Sequence, residues 1–365
     1  MHERSREAHE LFDAFVLPPG VLGYLDWSSG VTRLDCSRAE YAKLKDWAKA
    51  PSPDDERSVE LAEVTVHEMH HFLQISLFGY LYRFAFTLEL LISESLPSQL
   101  ARLADLPTRV RNEELLRNIL ADFDREQPDG VSVRSIVESL TYLVQKREEY
   151  GYDTGRYIAH LRRARPLPEY MSAFLYAHGV FGAVEHTVRL FPVLAQLSLC
   201  SHSPPEALAI LCQAVAAGEI STRTYLPELI AFCRERDPDY RGFSWEFPDA
   251  LGQPFPDHPV YGAVRAAVQG DSQWHAPFSK YLLVPDKSFF ESMHTLCMTP
   301  TLLNAEPDAA ADGYREWFMA VPASERERSE EEKREKFLGA LYVAGATQRM
   351  IGNVSTAPRF ARRTA

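Results

Sequence analysis

The pentapeptide His-Glu-Met-His-His at residues 67–71 is the sequence feature that most restricts how this chain can fold. It lies in a helical pattern over residues 52–79, which starts with Ser52 as an N-cap followed by proline and carries apolar residues at helical spacing. Histidines four positions apart lie on one face of an α-helix, so the side chains of His67 and His71 point the same way. Because imidazoles in an apolar helix turn are costly to bury alone, the fold has to provide polar partners for them.

Helical patterns continue over most of the chain, which has 365 residues and is 45% hydrophobic, enough for a sizeable core. Before them, residues 15–35 place turn signals between short apolar runs and predict a small N-terminal β-hairpin. We therefore predict a mainly α protein with a multi-helix domain over residues 1–235. Residues 236–365 start with a stretch rich in proline and aromatic residues, and predict an irregular loop region and C-terminal helices packed on the first part. The two parts form either separate units or one single domain.

The chain is acidic, with a formal net charge of −12. Binding to the phosphates of nucleic acids requires clustered Lys and Arg, so no nucleic acid partner is expected. The most apolar stretch, residues 75–92, is interrupted by Arg83 and Glu89, and no membrane-spanning segment is predicted. The N-terminal residues carry charges throughout and lack the apolar core of a secretory signal.

The cysteines also bear on the compartment. They are odd in number, widely spaced and form no C-x-x-C pair: Cys36, Cys200, Cys212, Cys233 and Cys297. This usage is typical of small buried side chains in a reducing compartment rather than of disulfides or thiolate-bound zinc. We therefore predict a cytoplasmic protein without membrane association.

The histidine pentapeptide fits the pattern H-E-x-x-H and predicts a divalent metal site. Zinc accepts imidazole nitrogens in a tetrahedral arrangement and keeps one position open for water in catalytic sites. We expect His67 and His71 to bind zinc, with Glu68 beside the ion as a general base that takes a proton from water. His70 and Gln74 are expected to lie next to this site. The competing interpretation is a set of histidines that make ordinary hydrogen bonds.

A site with two histidines needs a further protein ligand, and Glu138 is our first choice. It lies in the middle of the helical pattern Ser-Ile-Val-Glu-Ser-Leu-Thr-Tyr-Leu-Val-Gln, where a charged carboxylate among apolar neighbours needs a partner. In the competing interpretation, Glu138 lies on a polar helix face together with Arg134 and Gln145.

Glu185 is the first alternative for the third ligand. It too is an isolated acid in an apolar helical pattern, Phe-Gly-Ala-Val-Glu-His-Thr-Val. His178 and His186 accompany it and are candidate catalytic residues, because an imidazole near the metal can steady a transition-state oxyanion or a substrate group. Both can equally be core histidines with ordinary partners.

Glu89 and Glu94 are further alternatives, on the helical segment that follows the motif. On one straight helix Glu89 would lie about 27 Å from His71, at about 1.5 Å per residue. Either residue can therefore act as a ligand only if the chain reverses tightly at Gly79.

The pentapeptide together with the later helix Glu138-Ser139-Leu140-Thr141 resembles the zincin-like metallopeptidases, specifically the glutamate-zincin branch. The resemblance implies that His67, His71 and a distant glutamate bind zinc and that Glu68 activates water. It extends over about a quarter of the chain. The metzincin continuation with a third histidine is absent from the sequence, and the sequence contains no recognisable substrate-binding edge strand.

These observations favour a zinc-dependent hydrolase that acts on a peptide or a small-molecule amide, with Glu68 as the general base. One alternative is a non-haem iron(II) oxygenase, because two histidines and a carboxylate also form the facial triad of such enzymes. Another is a non-enzymatic helical interaction protein with a structural metal. The sequence leaves the substrate and the oligomeric state open.

Overall fold

The computed structural model describes residues 21–27, 32–47, 52, 54–100, 106–127, 129–146, 150–151, 153–182, 187–221, 224–240, 242 and 301–303. These residues are mainly helical, as predicted. The α-helices are Arg38–Trp47 (α1), Glu56–Leu77 (α2), Gly79–Leu100 (α3), Leu106–Asp124 (α4), Val133–Gln145 (α5), Thr154–Ala164 (α6), Ser172–Val180 (α7), Thr187–Ser198 (α8), Pro204–Ala216 (α9) and Leu226–Arg236 (α10). A 3-10 turn, Pro168–Tyr170, precedes α7. Within the described ranges, no helix combines the length and apolarity that a membrane span needs.

A small sheet accompanies the helices. Strands β1 (Gly23–Leu25) and β2 (Thr32–Leu34) pair antiparallel, which confirms the predicted hairpin. A third strand, β3 (Thr301–Leu302), pairs parallel to β2. The sequence did not predict β3, because a two-residue strand leaves no alternating pattern and its partner is distant in the chain. Apart from residues 236–240, 242 and 301–303, the predicted C-terminal region lies outside the described residues.

Helix α2 begins at Glu56 and is capped by Asp55 instead of Ser52. The Asp55 carboxylate accepts hydrogen bonds from the backbone N–H of Ser58 at 3.3 Å and from its hydroxyl at 2.7 Å. An aspartate in this position satisfies two donors of the first helical turn, which explains why the cap lies three residues later than the sequence pattern indicated.

Helix α2 ends at Leu77, and Phe78 adopts an extended conformation with φ −97° and ψ 126°. Helix α3 starts at once with Gly79, whose N–H donates to the Gly242 carbonyl, and Tyr80 N–H donates to the Leu199 carbonyl. The helix is therefore interrupted beside Gly79, where the sequence required a break for the alternative ligands, and α3 contacts α2.

Helix α5 is the centre of the fold. Ser132 and Ser135 cap its start reciprocally, each side chain bonding the backbone N–H of the other residue. All side chains from Ser135 to Val144 are buried, and α5 contacts α2, α4, α7, α8 and α9 as well as the 3-10 turn. Any polar side chain on α5 that faces a neighbouring helix is consequently shielded from water.

The four cysteines among the described residues are buried and free, as the sequence predicted: Cys36, Cys200, Cys212 and Cys233. Burial raises the pKa of the Cys36, Cys212 and Cys233 thiols to about 12. Thiols in this state behave as small apolar side chains rather than as nucleophiles. Cys297 lies outside the described residues.

Candidate metal centre

Helices α2 and α5 pack antiparallel, with polar residues facing each other across the contact. His67 near the middle of α2 meets Gln145 at the end of α5, and Gln74 later in α2 meets the Val137 carbonyl early in α5. On each helix the polar residues follow helical spacing, so that they form one stripe: His67, His70, His71 and Gln74 on α2, and Glu138, Thr141 and Gln145 on α5. The two stripes make a buried polar layer inside an apolar core.

His67, His71 and Glu138 come together in this layer as a group that can bind a metal ion. The two Nε2 atoms of the histidines lie 3.0 Å apart. The Oε2 atom of Glu138 lies 3.4 Å from Nε2 of His67 and 3.5 Å from Nε2 of His71. The structure thus brings together the two motif histidines and the glutamate that was our first choice from the sequence.

These distances fit a tetrahedral ion. Zinc bonded to nitrogen and oxygen at 2.0–2.2 Å in tetrahedral geometry holds its ligand atoms about 3.4 Å apart. The three distances among the two Nε2 atoms and Oε2 of Glu138 are 3.0, 3.4 and 3.5 Å, which lie on either side of that value. The donor set of two imidazoles and one carboxylate also suits iron(II) and other divalent ions, so the geometry does not choose the metal.

The Glu138 carboxylate needs a cationic partner. It is 2% exposed, and its Oε2 atom accepts no hydrogen bond from the described residues. Burial acts to raise the pKa of this carboxyl, but positive charge on His71 and His67 lowers it well below its usual range. A buried, ionised carboxylate needs positive charge beside it, and when the two imidazoles are neutral a metal ion between them and Glu138 supplies that charge.

Two glutamines contact the Nδ1 atoms of the motif imidazoles. Nδ1 of His67 lies 3.0 Å from Oε1 of Gln145, and Nδ1 of His71 lies 3.0 Å from Oε1 of Gln74. The Gln74 amide nitrogen donates to the Val137 carbonyl, which assigns the orientation of that amide. Because an amide oxygen only accepts, each Nδ1 donates its proton, and the Nε2 atom of a neutral ring then presents a lone pair to the metal position.

His70 is the third histidine of the motif and does not belong to the group that can bind a metal ion. Its Nδ1 atom lies 3.0 Å from the Thr141 hydroxyl, and the side chain is 2% exposed. Burial lowers the pKa of His70 to about 3, and positive charge on His71 and His67 acts in the same direction. His70 is therefore a neutral residue of the helix contact, in agreement with its expected place next to the site.

Glu68 is buried beside the triad but is not one of its ligands. It is 3% exposed, and the backbone N–H of Leu25 in β1 donates a hydrogen bond to its carboxylate. Burial raises the pKa of Glu68 to about 7, with His67 lowering it and Glu138 raising it. These electrostatic interactions connect Glu68 with two of the three candidate ligands, His67 and Glu138. A carboxyl with this pKa can exchange a proton near neutral pH.

Aromatic rings line the flanks of the site. The Trp27 ring lies 5.7 Å from the His71 ring, and the Tyr170 ring lies 5.9 Å from the His67 ring. Tyr142 is in contact with Tyr170, and its hydroxyl lies 2.8 Å from Nε2 of His160. The walls of the polar layer are thus apolar, which lowers the local dielectric and strengthens electrostatic interactions inside it.

The remaining candidates from the sequence lie elsewhere or outside the described residues. Nδ1 of His178 lies 3.0 Å from the Thr187 hydroxyl, and the His178 ring is stacked on Phe174; it does not belong to the His67–His71–Glu138 group. Its catalytic role stays a prediction. Four candidates concern residues or side chains outside the described part: His186, Glu185, Glu89 and Glu94.

Sequence reasoning missed the role of Gln145 and the approach of β1 to Glu68. Gln145 follows Glu138 by seven positions, so both lie on one face of α5, and this spacing was the available signal. The competing interpretation places Gln145 with Glu138 on a polar helix face, and in the structure this face contacts α2.

Comparisons of the chain with protein-family models, curated proteins and solved structures found no match.

Proposed function

We propose that this protein is a zinc-dependent hydrolase that cleaves a peptide bond or another amide bond, with Glu68 as the general base. The observation that carries the proposal is the position of Glu68. This carboxylate is buried beside the two-histidine, one-glutamate group and supplies none of its three ligand atoms.

A bound zinc ion supplies Lewis acidity toward the carbonyl oxygen and lowers the pKa of water. Glu68 takes a proton from the attacking water and later transfers it to the leaving nitrogen as the C–N bond breaks. Gln74 and Gln145 keep the two imidazoles in the tautomer that presents Nε2. The apolar walls exclude bulk water from this proton transfer.

The second carboxylate favours catalysis over a purely structural metal. Glu138 already completes the ligand group, so a structural site gains nothing from burying Glu68 as well. Burial of another ionisable group costs free energy, as the raised pKa of Glu68 indicates. The same argument favours hydrolysis over an iron(II) oxygenase, because the facial triad of an oxygenase does not use an additional base beside the metal.

The test is product analysis with defined metals. Metal-free protein is supplied with zinc, or with iron(II) and oxygen, and incubated with a mixture of peptides and acyl amides. We expect zinc to support cleavage, with one molecule of water added across two fragments in the mass spectrum. Addition of oxygen to an uncleaved compound with iron alone would overturn the hydrolase and support the oxygenase.

A further inference from the structure

Strand β1 contacts the carboxylate of Glu68. This residue follows His67 by one position, so it lies about 100° around α2 from that ligand. A glutamate side chain turns about several bonds, and its carboxylate keeps one orientation only where a fixed group binds it. For Glu68, which is 3% exposed, the backbone N–H of Leu25 in β1 is a group of this kind.

The pairing of β1 with β2 directs the N–H of Leu25 toward α2. The Leu22 carbonyl accepts a hydrogen bond from Asp35 N–H. Along an antiparallel strand, pairs that exchange hydrogen bonds alternate with pairs that do not. Leu25 lies opposite Thr32, three positions on from Leu22, so its N–H points away from β2. Glu68 lies at this edge of the strand.

Gly23 lets the backbone of β1 lie directly on α2. A Cβ atom at this position would be 2.3 Å from Cγ1 of Val64 and 3.2 Å from Cγ of Glu68. The first distance is far inside the optimum of about 3.5–4.0 Å for two carbon atoms, so a larger residue would push the strand and the helix apart. The same close approach brings Leu25, two residues further along β1, to the carboxylate of Glu68.

The segment that carries this donor is anchored in the core. Leu25 is 1% exposed and belongs to the main apolar core, as does Trp27 two residues later. The Trp27 ring packs edge-on against the rings of Phe84 and Phe123, with centroids 5.7 and 5.2 Å away. A donor that is held in this way is in place before a reaction starts, so no free energy is spent on orienting it during catalysis.

We infer that Gly23 is a positioning residue for the general base: its missing side chain lets β1 hold Glu68 in the orientation that receives the proton of the attacking water. The inference rests on the proposed function for the role of Glu68, whereas the contacts of Gly23 and Leu25 with α2 are independent of it. A carboxylate has about four lone-pair sites and one N–H occupies one of them, so Glu68 can accept the proton while Leu25 holds it. Gly23 acts through Glu68 and takes no part in the bond changes itself.

The variant Gly23→Ala tests this role in zinc-loaded protein. The added Cβ conflicts with Val64 and displaces Glu68, so kcat for amide hydrolysis should fall at least about tenfold, since a misplacement of about 1 Å can cost about 100-fold. KM and metal content should stay near the wild-type values, because none of the three atoms nearest to the added Cβ belongs to a metal ligand. A fall in metal content together with kcat would contradict a role confined to the base.

A second substitution separates positioning from damage to the fold. Val64→Ala removes the methyl group at 2.3 Å and leaves 3.2 Å as the shortest contact of the added Cβ. The double variant Gly23→Ala/Val64→Ala should therefore recover most of the lost kcat. Val64→Ala alone gives the rate with which the double variant is compared. Wild-type kcat in Gly23→Ala, or no recovery in the double variant, would overturn the positioning role.

Amide hydrogen exchange of the full chain tests the geometry without any activity. Loss of the acceptor in Glu68→Ala should speed exchange of the Leu25 amide at least about tenfold, and Gly23→Ala should have the same effect. The Tyr24 amide, which by alternation bonds Arg33 in β2, is the internal control and should keep its rate. An unchanged Leu25 rate in both variants would overturn the inference. If zinc-loaded wild type hydrolyses no amide, the proposed function fails, and the Leu25 rate still decides whether β1 holds Glu68.

Discussion

The Nε2 atoms of His67 and His71 lie 3.0 Å apart, with the Nδ1 atom of each ring held by a glutamine oxygen. When both rings are neutral, the two Nε2 lone pairs at this distance repel each other unless a proton or a metal ion lies between them. The Oε2 atom of Glu138 lies 3.4 Å from Nε2 of His67 and 3.5 Å from Nε2 of His71, and the carboxylate adds negative charge. A metal ion bound by these three atoms would remove both the repulsion and the cost of the buried charge.

Glu138→Gln should weaken metal binding at least about 100-fold, beyond the 10–100-fold typical of residues that only support a ligand. Glutamine keeps the shape of the side chain but removes the charge that the metal requires. The readout is competition with a chelator of known affinity. Glu63→Gln is the matched control, because Glu63 joins the same helix contact through Lys146 at 2.7 Å and is not a ligand. Equal affinities of the two variants would remove Glu138 from the site.

Gln145→Ala should lower metal affinity about 10–100-fold while leaving the ligand set intact. The loss follows because Nδ1–H of His67 then lacks its acceptor and the ring is free to change tautomer. Gln145→Glu restores an acceptor and should recover the affinity. If the alanine and glutamate variants are equally weak, Gln145 acts through packing and the tautomer argument is wrong.

Glu68→Gln should hold the metal with unchanged affinity and lose about 10²–10⁴ in hydrolytic rate, as expected for loss of a general base. Glu60→Gln, on the same helix and paired with Arg57 at the surface, is the control and should keep full rate. Loss of metal in Glu68→Gln would identify Glu68 as a ligand. Full activity in this variant would end the hydrolase proposal.

Metal retention should fall as the pH is lowered. Protons compete with the metal for Nε2 of His67 and His71, which bind the ion only when deprotonated. Glu138 joins this competition at lower pH, because burial acts to raise the pKa of its carboxyl but the charges of His71 and His67 lower it below its usual range. Equilibrium dialysis from about pH 8 to about pH 4 should show full retention at the upper end and loss toward the lower end. Constant retention over this range would contradict coordination by the imidazoles.

The helical class and the metal group could be predicted because their signals are local. The spacing of His67 and His71 determines that both lie on one helix face, and Glu138 is the acid that α5 buries. The contact of His67 with Gln145, 78 residues apart, depends on how α2 and α5 are packed along each other. The approach of Leu25 to Glu68 likewise depends on the tertiary position of a three-residue strand, for which one sequence carries no periodic signal.

The N-cap of helix α2 was predicted three residues too early, and the reason is a different one. Ser52 and Asp55 are both good N-caps, and the sequence pattern does not decide between them. In the structure the Asp55 carboxylate bonds Ser58 and also forms an ion pair with Lys43 of α1 at 2.8 Å. A contact with another helix thus favours the later cap.

Elemental analysis of the protein tests the metal centre most directly, provided that purification avoids chelators and nickel columns. We expect one divalent metal ion per chain in the wild type, with zinc as the element, and its loss in the His67→Ala/His71→Ala variant. Freshly purified protein without metal, which also takes up none when zinc is added, would contradict a metal centre at these residues.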